Sequence, residues 1–128
     1  MDPAQALQEL RELSSQIESA VVLAADGSVL ASTHDDPTRS EALANSALEL
    51  IGAAFELSAQ PREVTRVEVE LEEGALFVLR EGGRTIAAAT GPQPTSGLVV
   101  YDLRTCLQGI AEPARTRKRA TPKAKDAE

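Results

Sequence analysis

The sequence predicts an α+β domain: a five-stranded antiparallel sheet with helices on both faces, in the order α-β-β-α-β-β-β-α. Three observations carry this. The stretch Arg39–Ser58, RSEALANSALELIGAAFELS, repeats its apolar residues at helical spacing over roughly half its circumference. Asp26-Gly27 separates two short apolar runs, a strong short-range signal for a β-hairpin. Further along, Glu73-Gly74 and Glu81-Gly82-Gly83 punctuate three more short runs, which reads as a meander.

The first helix is expected over Pro3–Gln16. Asp2 caps it, Pro3 suits the first helical position and Gln5 completes a capping box. Leu7, Leu10, Leu13 and Ile17 then recur at helical spacing. Glu18–Ala25 and Ser28–Thr33 form the hairpin, joined by a type I′ turn in which Asp26 and Gly27 both take positive φ. Neither run alternates cleanly between polar and apolar residues, so the sheet should be covered on both faces.

Asp36-Pro37 or Thr38 with Glu41 caps the long helix, and Gln60-Pro61 marks its exit. Along it, Leu43, Ala47, Leu50, Ala54 and Leu57 form one stripe, and Ala44, Leu48, Ile51 and Phe55 a second beside it. A surface helix needs a single apolar stripe about 100° wide. Surplus apolar surface implies a second contact, and another copy of the chain is the expected one. Leu43, Leu50 and Leu57 are assigned to the protein's own sheet. Ala44, Leu48, Ile51 and Phe55 are assigned to the partner; because the two stripes adjoin, the reverse assignment stays open.

Val64–Glu72 alternates strictly. Thr65, Val67, Val69 and Leu71 face one way, while Arg66, Glu68, Glu70 and Glu72 face the other. It reads as an edge strand whose glutamates discourage promiscuous pairing, with Arg66 as the available counter-charge. If two copies pair antiparallel here with like charges opposed, the dimer weakens at low salt. Ala75–Arg80 is nearly all apolar and therefore central, and Arg84–Thr90 is the last strand. A loop over Gly91–Gly97 leads to a closing helix, Leu98–Ala111, with Val99, Leu103, Cys106, Leu107 and Ile110 on its inner face.

At 128 residues and 42% apolar content the chain can build one ordinary core, but aromatics make up only 2%. That scarcity argues against single-strand nucleic-acid binding, which depends on base stacking. Residues 113–128 are basic and aperiodic, net +4, and read as a disordered tail. Residues 1–112, the expected domain, carry a net −11. The body is therefore a poor nucleic-acid ligand. No run approaches the roughly 20 apolar residues of a membrane span, and the first residues lack a basic and apolar leader pattern. With one cysteine, Cys106, this predicts a cytoplasmic protein.

Ser19-Ala20-Val21-Val22-Leu23-Ala24-Ala25-Asp26-Gly27-Ser28-Val29-Leu30-Ala31-Ser32 is similar to the opening of the roadblock family, that of roadblock-type dynein light chains. There an apolar strand, an Asp-Gly turn and a small-residue return strand precede an Ala-rich helix. Gly97-Leu98-Val99 leading into a Leu-rich helix also resembles that family, and the likeness spans about Ala4 to Ala111. The resemblance implies a non-enzymatic scaffold that forms a homodimer, or a heterodimer with a paralogue. It implies pairing through the long helix and the edge strand, with a small Ras-like GTPase bound or regulated on the resulting platform. The implied interface is Ala44, Leu48, Ile51, Phe55, Arg66, Val67, Glu68, Val69 and Glu70.

Catalytic material is sparse. His34 beside Asp35 and Asp36 has the elements of a metal or proton site, but reads as a solvated loop before a helix cap. Cys106 lies on an apolar helix face and reads as structural. Glu68, Glu70 and Glu72 share a strand face that reads as solvated rather than chelating. No catalytic, cofactor-binding or metal-binding residue is assigned, and no enzyme is expected. Two alternatives remain. One is a profilin-like small-molecule sensor, in which Ala87, Ala88, Ala89 and Gly91 leave room between sheet and helix, although these small residues read first as letting a helix pack close. The other is an adaptor acting through the basic tail, where Thr121 offers a phosphorylation site able to offset part of its charge.

Overall fold

The computed structural model describes residues 1–57 and 65–110. Its elements run α1 (Pro3–Leu13), β1 (Ile17–Leu23), β2 (Val29–Ser32), α2 (Pro37–Leu57), β3 (Arg66–Glu70), β4 (Ala75–Glu81), β5 (Arg84–Thr90) and α3 (Ser96–Gly109). The strands form one antiparallel sheet ordered β2-β1-β5-β4-β3, so β3 is an edge and β4 is internal. The predicted exit at Gln60-Pro61, the residue Val64 and the tail from Pro113 lie outside the described residues.

Local chemistry explains most boundaries. The Asp2 carboxylate accepts the Gln5 N–H at 2.9 Å, and Pro3 follows it at a position where no N–H is needed. Asp36 does the same for α2, accepting the Thr38 N–H at 2.9 Å. The first helix stops at Leu13, three residues earlier than expected, because Ile17 must already lie opposite Thr90 in the sheet. Gln16, freed from the helix, accepts the Thr95 N–H at the start of α3 across 2.6 Å.

The first hairpin differs from expectation. Gly27 has φ +89°, while Asp26 keeps a negative φ. The Gly27 N–H donates to the Ala24 carbonyl and the Ala24 N–H to the Ser28 carbonyl, each at 2.9 Å. This is a turn closed by a left-handed glycine, not a two-residue type I′ turn. The Ser28 hydroxyl and then its N–H bind the Asp26 carboxylate and hold its pKa below the usual value. These bonds favour the arrangement that keeps Asp26 out of the left-handed region. At the β4–β5 turn, by contrast, Gly82 and Gly83 both take positive φ, as a two-residue hairpin requires.

Both sheet faces are covered. Ala20, Val22, Phe77, Leu79, Ile86 and Ala88 pack under α1 and α3. Val21, Leu23, Val78 and Ala87 pack under α2. Phe77 is fully buried and is the largest such side chain. Ala87 and Ala88 are fully buried, and Ala87 shares its cluster with Ala44, Ala47 and Ile51 of α2, as expected for small residues that let a helix pack close over β5.

Cys106 is buried in the α1–α3 layer, and burial first, then the negative charge of Glu9, pushes its thiol from 9.0 up to about 11. At pH 8, alkylation of the folded chain should run about a hundredfold slower than after unfolding in urea, because only the thiolate reacts. The unfolded thiol ionises first, so stability should fall as pH rises from about 9 to about 11. At Gly74 an added Cβ would run into the Thr90 carbonyl. Gly74→Ala should lose about 1–3 kcal/mol, read as a lower urea midpoint at unchanged slope.

Candidate functional site

The surface built by α2 and β3 begins with how α2 sits. Its buried stripe is Ser40, Ala44, Ala47 and Ile51. These are spaced i, i+4, i+7 and i+11, one line along the helix. The Ser40 hydroxyl lies 2.7 Å from Ser32 Oγ, which also accepts the His34 N–H, and this clips the helix start to β2. Toward the other end, Arg80 of β4 stacks over the Phe55 ring at 5.3 Å.

This seating corrects the assignment of the two stripes. Ala44 and Ile51, expected to face a partner, are 4% and 6% exposed and belong to the protein's own core. Small side chains let the helix approach Ala87 closely, so the line of Ser40, Ala44 and Ala47 faces the sheet while larger leucines flank it. Leu43 and Leu50 are only partly buried at that flank, and Leu57, also expected on the sheet, is 89% exposed. Leu48 remains exposed, over Gly27. Phe55 is half-buried. The small residues of β5 already implied a closely packed helix; the matching small residues on α2, Ser40, Ala44 and Ala47 at i, i+4 and i+7, identify the side that meets them.

On β3, Val67 and Val69 point toward α2 and are half-buried, while Arg66, Glu68 and Glu70 are exposed on the other side. The Arg80 N–H donates to the Thr65 carbonyl, and Leu71 and Gly74 exchange hydrogen bonds. In an antiparallel ladder these fix which residues bond inward: the odd-numbered ones bond to β4. Arg66, Glu68 and Glu70 therefore turn their N–H and C=O groups to the open edge. Glu68 also accepts the Ser96 hydroxyl at 2.7 Å, at the first turn of α3. Half-buried Leu43, Leu50, Phe55, Val67 and Leu76 adjoin the α2-side core, so apolar surface continues from the helix toward this edge.

His34 lines an open hollow of about 520 Å³ with Asp35, Ser40, Glu41 and Asn45. Among the described residues no group of three His, Cys, Asp or Glu side chains is placed to hold a metal ion. Between α1 and α3 runs a second hollow of about 500 Å³, with a mainly apolar lining that includes Leu10, Leu13, Leu98 and Tyr101. Among the described residues, no helix is long and apolar enough to cross a membrane.

A sequence model of the Roadblock/LC7 domain matches residues 3–90. The fold is similar to that of a Roadblock/LC7 domain from Streptomyces avermitilis, 24% identical, with a TM-score of 0.73 over 84% of this chain and 93% of that one. It is also similar to MglB from Myxococcus xanthus, 11% identical, TM-score 0.56, over 82% of this chain and 85% of that one. A third similar structure is an MglB in a tetrameric arrangement, 17% identical, TM-score 0.61, covering 85% of this chain and 88% of that one. No curated protein matches the sequence. With more than half of the residues inside the domain match, and the element order and sheet topology in agreement, the chain belongs to the Roadblock/LC7 domain family.

Proposed function

We propose that this protein is a non-enzymatic, cytoplasmic interaction module that dimerises through α2 and β3 and binds or regulates a small Ras-like GTPase. The observation that carries the reading is the unfinished perimeter of α2, continuous with an open strand edge, in a Roadblock/LC7 domain. Fully burying a Leu or Val side chain is worth roughly 1.5–3 kcal/mol, so covering Leu43, Leu50 and Val67 is a substantial driving force for a second copy. The edge groups of Arg66, Glu68 and Glu70 then supply main-chain hydrogen bonds that set the pairing register. The tetrameric arrangement of one similar MglB supports self-association as a property of this fold. The GTPase is the partner class that the family resemblance implies.

The partner-facing set is accordingly Leu43, Leu48, Leu50, Phe55, Val67 and Val69 with the edge residues Arg66, Glu68 and Glu70. Ala44 and Ile51 act from beneath, as core.

Sedimentation equilibrium at tens of micromolar should find a dimer. Glu68→Pro removes an outward N–H without touching the ladder to β4, so it should give a folded monomer, whereas Glu68→Ala should stay dimeric. A wild-type monomer would refute the pairing. Partner binding is tested apart from this, by calorimetry with a purified Ras-like GTPase from the same genome, loaded with GDP or with a non-hydrolysable GTP analogue. Binding in at least one nucleotide state, weakened tenfold or more by Leu48→Asp, is expected. No binding in either state would remove the GTPase from the proposal and leave the dimer standing.

A further inference from the structure

The sheet face opposite α2 carries its own surface. Along the hollow between α1 and α3, Leu10 and Cys106 are buried, while Leu13, Leu98 and Tyr101 are 77%, 50% and 67% exposed. With exposed Met1, four large apolar side chains thus stand in water along one hollow, which isolated surface residues would not do. The charged side chains lining it are Glu9 and Asp102, both acidic. Ser14, which also lines it where α1 ends, has a buried hydroxyl with no hydrogen-bond partner.

We propose that this groove docks a basic amphipathic helix from a partner protein. Apolar side chains spaced i, i+3 or i+4, and i+7 on that helix would lie between α1 and α3, and flanking Lys or Arg side chains would pair with Glu9 and Asp102. A trough flanked by two helices suits a third one. A small molecule fits less well, since small-molecule sites enclose most of the ligand, whereas Leu13 and Tyr101 stand high on open walls. A second copy is disfavoured because like grooves would set Glu9 and Asp102 against their own counterparts. The chain's own residues 111–128 supply cations but no large apolar side chain, so they satisfy the rim and leave the floor uncovered. This proposal concerns the face opposite the α2–β3 surface and does not depend on the dimer or on a GTPase.

The test uses the full-length chain and a fluorescein-labelled synthetic 15-residue helical peptide. It carries Leu at positions 1, 5, 8 and 12, with Lys and Gln elsewhere, and its twin carries Glu in place of Lys. Fluorescence anisotropy should show the Lys peptide binding at least tenfold tighter than the Glu peptide. Leu13→Ser with Tyr101→Ser should cost tenfold or more, with circular dichroism unchanged, since both side chains are exposed. Glu9→Gln with Asp102→Asn should narrow the preference between the two peptides. If the Lys peptide binds equally well to the Leu13→Ser, Tyr101→Ser variant, the attraction is to the acidic body at large and the docking site is refuted. Equal affinity for both peptides would refute the basic partner. A tenfold gain on replacing Arg117, Lys118 and Arg119 by Gln would assign the groove to the chain's own tail instead. Loss of self-association in the Leu13→Ser, Tyr101→Ser variant would assign it to a second copy.

Discussion

The central constraint is a sheet buried on both faces by a sequence with almost no aromatic residues. β1, β5 and β4 each alternate between two apolar layers, so Val21 and Ala87 serve one core while Val22, Ile86 and Ala88 serve the other. With few large side chains to fill space, density must come from close approach. Ala87 and Ala88 permit that on one strand, and Ser40, Ala44 and Ala47 permit it on α2. The depth at which α2 sits follows from these small residues, and so does the exposure of the leucines beside them.

A consequence is that the molecule ends in unfinished surfaces of different kinds. Near β3 the surplus is both apolar and main-chain polar: half-buried side chains toward α2, and edge N–H and C=O groups carried by Arg66, Glu68 and Glu70. Between α1 and α3 the surplus is apolar with acidic flanks, and the strand edges play no part. The first suits a partner that adds a strand, the second a partner that adds a helix.

Much of the fold was legible because its signals are local. Asp2-Pro3 and Asp36-Pro37 start helices wherever they stand, and Gly82-Gly83 makes a tight hairpin almost regardless of its surroundings. The alternation of residues 65–72 is likewise a property of the strand itself. The first hairpin shows where this stops. Asp-Gly announced a turn, but the turn type depended on how Ser28 and Ala24 bonded across it. The end of α1 depended in the same way on a strand distant in sequence, through Ile17 opposite Thr90.

The candidate surface divides along the same line. Periodicity by itself determined that α2 has more apolar circumference than one contact uses, and that β3 is an edge with charges on one face and valines on the other. It did not determine the roll of α2 about its axis. Two adjoining stripes differ by only a fraction of a turn, and burying the larger leucines looks better when apolar area alone is counted. The tertiary structure decided otherwise: Ser40, Ala44, Ala47 and Ile51 form the buried line, three of these with Ala87 in one cluster, and the leucines lie beside it. Sequence sets how much surface must be covered; the roll of the helix on the sheet sets which surface is left over.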